Sequence, residues 1–399
     1  MRFLVCLLFF CLTESVFGSE DFIFRLHGSN TVGERLAPNL VSAWLRRDGF
    51  DRIVVEKQAE LEHTITGTHP SGQSLSVRIH AHGSSTSFRD LASGEADIGM
   101  SSRRIRPQEV LALADLGQLD DPRHEVVIGI DGIAVIVHPE NPIQSLSIEQ
   151  LRRVFSGQIA DWEQLGGTAG PITLYARDDK SGTFDSFGSM VMDGNDMAGS
   201  AARLESSSEL SDKVSRDPGA IGFIGLPYIR DARPLAVADG ELEVLPETFS
   251  SATEDYPLSR RLYLYLTDDA LAGPAGDFAR FVIGDIGQRI VDETGFVGQV
   301  IEVREVEPPP DAPEEYRAFV SGAYRASLNF RFERGLADLD SKSKRDIERL
   351  AAFMRKPQNE NFRLMLMGFS DPQETSAYFS LSLSIDRVSS VARQLLMKD

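Results

Sequence analysis

Cysteine is almost absent from this sequence. Cys6 and Cys11 are the only two in 399 residues, and both fall inside the apolar run that follows Arg2. The segment from Met1 to Gly18 has the basic start, apolar run and small-residue end of a secretory signal, so we predict a mature chain that begins at Ser19. The exported protein would then carry no thiol for a disulfide, a metal site or nucleophilic catalysis.

Basic residues are also in the minority. The chain has 41 Lys and Arg against 60 Asp and Glu, a net charge of −19, whereas a nucleic-acid partner would require a basic face. After the leader, no stretch approaches the ~20 apolar residues that span a bilayer. We therefore expect an exported, periplasmic protein of more than one domain, and any anion would have to be bound by local donors in a desolvated cleft.

Small polar turns follow three predicted strands, each just before a predicted helix. These turns are Gly28-Ser29-Asn30-Thr31-Val32-Gly33, Gly83-Ser84-Ser85 and Ser181-Gly182-Thr183. Free amides and the helix dipole at such positions favour an anion, and Arg177 adds a planar guanidinium beside the third turn. Each turn alone is also typical of an ordinary helix cap. Because ligands bind at the carboxyl ends of strands in α/β sheets, we interpret the three together as one oxyanion-binding cleft.

The order of these turns resembles that of the PstS-type phosphate-binding proteins of ABC importers. The resemblance also includes Ala96-Asp97-Ile98-Gly99-Met100-Ser101-Ser102 and Pro218-Gly219-Ala220-Ile221-Gly222, and it extends from about Phe22 to Val303. It implies an α/β, two-lobed periplasmic binding protein of type II over residues 19–304. Two crossing segments would join the lobes, phosphate would lie in the cleft between them, and an ABC transporter permease would be a candidate partner.

The resemblance also implies which residues contact phosphate. Thr31 would bind through its hydroxyl, Val32 through its backbone N–H and Ser84 through its hydroxyl. The remaining donors would be Arg177, Ser181, Gly182 and Thr183, with Asp179 orienting Arg177.

Two positions depart from the family pattern. Lys180 stands where glycine is usual, and Ser102 stands where well-known members carry an aspartate that accepts the proton of bound phosphate. A buried carboxylate rejects an anion that has no proton to donate, whereas a hydroxyl can donate or accept. We therefore expect Ser102 to contribute to phosphate binding with weaker exclusion of sulfate, arsenate or molybdate.

Four of the seven histidines lie within twenty residues. His63 and His69 belong to a hydrophilic insertion over residues 56–76, and His80 and His82 follow on the next strand. A metal site is one interpretation, because His80-x-His82 would share a strand face. Spacing alone is weak evidence, so we favour a surface hairpin or loop and predict no metal and no cofactor.

Beyond the resemblance to PstS, an acidic, proline-rich linker covers residues 305–324. Residues 325–399 have the pattern strand (327–332), helix after Ser341, strand (362–367) and helix, which resembles a partial α+β OmpA-like peptidoglycan-binding domain in β-α-β-α order. The motifs are Gly368-x-Ser370-Asp371 and Leu383-Ser384-x-x-Arg387. They imply that Asp371 and Arg387 contact peptidoglycan, although a turn aspartate and a surface arginine are the alternative.

Three functions fit these patterns to different degrees. The first is a periplasmic phosphate-binding protein tethered to peptidoglycan, near the wall or the outer membrane. The second is a wall-anchoring or sensing protein whose lobes take another oxyanion or none. An enzyme is disfavoured, because the sequence lacks a Gly-x-Ser-x-Gly elbow and a histidine near Ser181. We predict a non-catalytic binding protein.

Overall fold

A computed structural model describes residues 22–59, 61–179, 181–240, 242–308, 312–332, 336–369 and 377–398. The predicted leader, Lys180 and Asp371 lie outside these ranges. In chain order the strands are β1 (Phe24–Gly28), β2 (Arg52–Ala59), β3 (Glu62–Thr68), β4 (Ser74–His80), β5 (Ile98–Ser101), β6 (Glu125–Val137), β7 (Ser145–Ser147), β8 (Thr173–Arg177), β9 (Ala202–Leu204), β10 (Ala220–Gly225), β11 (Arg233–Pro234), β12 (Ala236–Asp239), β13 (Leu242–Val244), β14 (Ser259–Leu266), β15 (Val303–Glu305) and β16 (Tyr324–Ala326).

The α-helices of the same part of the chain alternate with these strands, and the last two lie in the C-terminal region. They are α1 (Asn30–Gly33), α2 (Leu36–Arg47), α3 (Ser84–Ala92), α4 (Pro107–Ala112), α5 (Ile148–Phe155), α6 (Gly182–Phe187), α7 (Ser207–Val214), α8 (Thr248–Ala252), α9 (Asp268–Leu271), α10 (Pro274–Val282), α11 (Asp285–Glu293), α12 (Glu314–Val320), α13 (Ser341–Met354) and α14 (Ala377–Leu396).

One long strand joins the two lobes. The main sheet has the order β2-β3-β4-β1-β5-β14-β6-β10-β8-β9, with β11 also on β6. The first half of β6 pairs with β14, and residues 133–137 pair with β10. All of β6 is buried, as its continuous apolar run predicts. The predicted two-lobed α/β fold is confirmed, and β6 and β14, called the crossing strands below, run antiparallel where the chain passes between the lobes.

Each lobe has its own aromatic packing. In the first lobe, Phe24 of β1 lies 5.4 Å from Trp44 and 5.3 Å from Phe278, measured between ring centroids. In the second, the rings of Phe187 and Phe223 are stacked at 3.9 Å. Aromatic pairs at these distances stabilise a core by more than the burial of their apolar surface alone. The strands whose ends carry the polar turns are therefore held in well-packed cores.

The start of α5 and the edge of the main sheet follow local sequence signals. Helix α5 begins after Ser147, whose hydroxyl accepts from the Gln150 N–H at 3.1 Å while the Gln150 side chain accepts from the Ser147 N–H, a capping box. Residues 56–59 and 61–76 belong to the antiparallel β2–β3–β4 edge of the sheet, so the surface-hairpin interpretation is confirmed. Gly284 adopts an extended backbone and caps α11, so residues 274–293 form two helices, α10 and α11.

The C-terminal region contains the predicted helices but not the predicted strands. Residues 327–332 and 362–367 form no strand, and β15 pairs with β16 instead. Backbone N–H groups of residues 327–332 form hydrogen bonds outside any such strand pair. Ser327 N–H donates to Glu302 O at 2.8 Å, and Arg331 N–H donates to the Ser343 hydroxyl at 2.8 Å. The expected β-α-β-α order is therefore wrong for the described residues.

Helix α13 packs against the crossing strands. The Arg345 guanidinium donates to the carbonyls of Pro122 and Glu125, the latter at 2.6 Å. Asp340, the N-cap of α13, forms an ion pair of 2.6 Å with Arg261 of β14. Polar groups of α13 thus replace solvent at the point where the lobes join.

Candidate functional site

Hydroxyl groups from separate turns of the two lobes meet in one buried place. The Oγ1 atoms of Thr31 and Thr183 lie 3.3 Å apart, and the Oγ atoms of Ser84 and Ser102 also lie 3.3 Å apart. All four side chains are buried. We call these residues the hydroxyl cluster. The convergence expected of the three turns is therefore present in the structure.

Gly182 brings the second lobe into direct contact with the first. A Cβ atom at this position would lie 2.1 Å from the Ser102 Oγ and 2.3 Å from the Ser84 Oγ. The Ser186 hydroxyl, one turn later in α6, donates to the Ser102 carbonyl at 3.2 Å. The approach between the lobes thus requires a residue without a side chain at 182.

Substituting Gly182 with alanine is expected to lower the free energy of unfolding by about 1–3 kcal/mol, because the added methyl overpacks the two serine hydroxyls. Thermal or denaturant unfolding measures the change. Gly188→Ala is the matched control, since a Cβ there meets no atom within 4 Å and the backbone is helical. Equal stability of the two variants would contradict the close approach.

The cation that donates to the hydroxyl cluster is Arg260 of β14, which the sequence analysis did not single out. Its Nη2 donates to Thr183 Oγ1 at 2.8 Å and to Thr31 Oγ1 at 3.4 Å, and its Nη1 donates to Ser102 Oγ at 3.5 Å. The residue is only 4% exposed. Side chains alternate between the two faces of a strand, so Arg260 shares its buried face with Leu262 and Leu264. An arginine on an otherwise apolar strand face was the signal in the sequence that could have identified Arg260 as a site residue.

Asp131 holds Arg260 in place from the neighbouring crossing strand. The two residues are directly opposite in the β6–β14 ladder, and the Asp131 Oδ2 accepts from Arg260 Nε at 3.0 Å and from Nη2 at 2.6 Å. Burial raises the pKa of Asp131, and the Arg260 guanidinium acts in the opposite direction. The backbone N–H of Leu226 also donates to this carboxylate, at 3.0 Å. The pair is therefore a fixed part of the site.

Arg177 is buried beside the cluster, but its hydrogen bonds run elsewhere. Its guanidinium donates to Leu204 O at 3.2 Å, to Glu205 O at 2.6 Å and to the Ser207 hydroxyl. Burial lowers the pKa of Arg177, and the nearby Arg260 guanidinium acts in the same direction. Arg177 is therefore buried, with its guanidinium bound to the 204–207 turn.

The orienting role predicted for Asp179 is wrong. Its side chain is 82% exposed and forms an ion pair with Arg203 at 3.6 Å. Arg203 in turn donates to the backbone carbonyl of Arg177 at 3.2 Å. The turn carbonyls described above satisfy the Arg177 guanidinium, so a carboxylate partner is not needed there.

Two of the predicted amide donors are engaged within their own turns. The Val32 N–H donates to the Ser29 hydroxyl at 3.4 Å, and the Thr183 N–H donates to the Ser181 hydroxyl at 3.1 Å. Both are N-cap contacts at the starts of α1 and α6. The side chains of Ser29 and Ser181 therefore shape the turns and leave the hydroxyls of Thr31 and Thr183 directed toward Arg260.

Arg387, predicted to contact peptidoglycan, is not a surface arginine. It is 7% exposed, donates to the carbonyls of Leu336 at 3.2 Å and Phe369 at 3.4 Å, and lies 5.2 Å from the Phe332 ring centroid. These contacts hold α14 against the segments on either side of α13. Asp371, its expected partner at the wall, is among the residues that are not described.

The histidines form contacts with an acidic residue that the sequence analysis did not pair with them. Glu62 Oε1 lies 2.8 Å from His82 Nε2, and Glu62 Oε2 lies 3.9 Å from His80 Nε2. Within the described ranges, no group of three or more His, Cys, Asp or Glu side chains is arranged to hold a metal ion. In the same part of the chain, no helix combines the length and apolar character needed to cross a membrane.

Comparisons with known proteins agree with this geometry. Residues 63–285 match a PBP superfamily domain. The phosphate-binding protein PstS of Bacillus subtilis is 32% identical over 224 residues, which cover 55% of this chain and 70% of that protein. PstS of Pseudomonas aeruginosa is 26% identical over 249 residues, covering 58% and 76%.

Solved structures show the same fold. A putative phosphate ABC transporter substrate-binding protein from Clostridium perfringens, with bound phosphate, superposes with a TM-score of 0.54 at 25% identity, covering 69% of this chain and 98% of that one. An ABC-type phosphate transport receptor from Vibrio cholerae gives 0.54 at 24% identity, with 69% and 99% covered. The matched domain spans more than half of the sequence, and this chain therefore belongs to the PBP superfamily, with a domain of the PstS type over residues 63–285.

Proposed function

We propose that this chain binds inorganic phosphate between its lobes and delivers it to an ABC transporter permease as a non-catalytic periplasmic protein. The observation that carries the proposal is the buried hydroxyl cluster, built from both lobes around Arg260. Hydroxyls and a guanidinium are the donors that suit a tetrahedral oxyanion. Relatives named for phosphate binding, and a solved relative with phosphate bound, support the choice of ligand.

The buried arginine side chains favour binding of an anion, although the chain as a whole has a net charge of −19. Arg177 and Arg260 are both buried, and Asp131 is the buried carboxylate that pairs with Arg260. The carboxylates of Asp178 and Glu34 offset the charge of Arg177 in part, and a buried positive charge that is incompletely offset is costly. An anion between the lobes would compensate it, and donors from both lobes would then favour the closed arrangement.

Of the predicted ligands, we assign direct contacts to the hydroxyls of Thr31, Ser84, Ser102 and Thr183. Ser181, Gly182 and Val32 shape the turns that present these groups, while Arg260 supplies the charge-assisted donor and Arg177 adds to the positive field. The proposed domain limits are 1–18 for the leader, 19–304 for the binding domain, 305–324 for the linker and 325–399 for the C-terminal region. Peptidoglycan binding by that region stays a prediction.

Calorimetric titration with phosphate and with sulfate tests the proposal. Phosphate is expected to bind and to raise the melting temperature, since a ligand of the native state must do so. Sulfate is expected to bind more weakly, but with less than the ~10⁴–10⁵-fold discrimination of a site that leaves a buried polar group unpaired, because the Ser102 hydroxyl can donate or accept. Sulfate binding tighter than phosphate, or no response to either, would overturn the assignment.

A further inference from the structure

The outermost strand of the main sheet has an open edge. β2 is the last strand in the sheet order, and it pairs with β3 on one side only in the part of the chain that the structure describes. Seven of its eight residues are exposed, including Val54 at 52% and Val55 at 50%. It contains no proline and is long for an edge strand. Such an edge offers unpaired backbone groups to another strand.

We propose that β2 pairs with β2 of a second copy of this chain, antiparallel, about a two-fold axis at Val54. In that register Val54 lies opposite its own symmetry mate and Ile53 lies opposite Val55. The sequence on either side then becomes self-complementary, because Arg52 faces Glu56 and Asp51 faces Lys57. Symmetry repeats each of these pairs, so both ends of the contact carry the same two pairs of opposite charges.

Neighbouring registers lack this complementarity. An axis at Val55 places Arg52 opposite Gln58 and Val54 opposite Glu56, and an axis at Ile53 places Arg52 opposite Val54. Opposite charges directly across an antiparallel pair stabilise it, and register is set by such pairs and by the faces of the strand. Only the axis at Val54 therefore pairs the charges of this strand.

The four charged side chains are accessible for these contacts, although Glu56 also accepts a long hydrogen bond of 3.5 Å from the Gln58 side chain within β2. Asp51, Arg52, Glu56 and Lys57 are exposed and form no ion pair with any other described residue. Their charges cancel, whereas the chain as a whole carries −19. The β2 edge is thus a place where two acidic copies approach without local repulsion. An unrelated extended segment would match the alternating charges only by coincidence, so the self-complementarity favours a second copy as the partner.

The core remains intact on such pairing. Ile53 packs on the core of the first lobe from its own side of the sheet, and α2 contacts the same strand. The second copy would pair with the backbone edge of β2 that faces away from β3, so the sheet would continue into that copy. The first-lobe members of the hydroxyl cluster follow β4, β1 and β5, and β3 separates β2 from the nearest of these strands, so pairing at β2 does not cover the cluster.

Charge exchange tests the register. The full chain is expected to sediment as a dimer, and Arg52→Glu is expected to weaken association by about tenfold or more, since it places like charges opposite each other twice. Arg52→Glu combined with Glu56→Arg should restore the dimer. Arg153→Glu, an exposed charge reversal on α5, is the matched control. A monomer at all concentrations, or a double variant that stays dissociated, would overturn the proposal.

A cysteine trap tests the axis independently. In the chain that begins at Ser19, which contains no other cysteine, Val54→Cys should form a disulfide-linked dimer on mild oxidation, because directly opposite residues have Cα atoms about 4.5–5.5 Å apart, within disulfide reach. Val55→Cys is the control, since its own symmetry mate lies diagonally across the pair. Faster cross-linking at 55 than at 54 would contradict the axis at Val54.

Discussion

Replacing Arg260 with methionine is expected to abolish measurable phosphate binding and to lower the free energy of unfolding by about 3–5 kcal/mol. The guanidinium donates to three hydroxyls and forms a buried ion pair of 2.6 Å with Asp131. Methionine would fill a similar volume but would leave the Asp131 carboxylate buried without its partner. Calorimetric titration and denaturant unfolding measure the two effects separately.

A double variant separates binding from folding. Arg260→Met combined with Asp131→Leu removes both charges, so stability should largely recover while phosphate binding stays lost. Arg280→Met is the control, because this arginine is 64% exposed on α10 and its ion pair is with Asp277 of the same helix. Phosphate binding of parental affinity in the double variant would contradict the role assigned to Arg260.

Acidification from about pH 4.5 to pH 2 is expected to remove about 3 kcal/mol of stability through Glu254 alone. Burial opposes ionisation of this group, but the guanidiniums of Arg261, at 2.6 Å, and Arg331, at 3.1 Å, hold the pKa of Glu254 at about 2. Because the folded pKa lies below the unfolded one, the stabilisation is fully present above pH 4.5 and is lost as the pH falls through the folded value.

The Glu254→Gln variant isolates this contribution from other carboxylates. Its free energy of unfolding should be lower at neutral pH and should change less across the same acidic range. Glu315→Gln, at an exposed position of α12, should keep the parental pH dependence. Parallel pH profiles for the parent and Glu254→Gln would show that the ion pairs with Arg261 and Arg331 do not stabilise the fold.

Local patterns predicted the parts of the fold that depend on neighbouring residues. The almost continuously apolar run from Glu125 to Val137 is one strand, β6, because a strand buried on both faces leaves a continuous apolar pattern. The capping box at Ser147 likewise marks the start of α5. The small polar turns identified three chain segments of the site for the same reason, since each carries its own helix start.

Contacts between distant residues were the part that the sequence could not provide. Arg260 and Asp131 are 129 positions apart, and their pairing depends on the β6–β14 register, which local periodicity does not specify. Arg177 was identified, but its acceptors on the 204–207 turn were not, because backbone carbonyls leave no mark in a sequence. The prediction of two C-terminal strands was wrong for a similar reason. The Asn329 side chain donates to the Thr253 carbonyl at 2.6 Å, and its segment docks on the second lobe instead of pairing as a strand.

The docking of α13 on the crossing strands links the C-terminal region to the rest of the molecule energetically. Arg345 and Asp340 tie the helix to β6 and β14, and Arg349 adds a bond of 3.2 Å to the Gln299 side chain. Elements that share such partly buried polar contacts open together, because separating them leaves polar groups on both sides without their partners. The C-terminal region and the junction of the lobes therefore form one cooperative unit, so that opening either part would also destabilise the other.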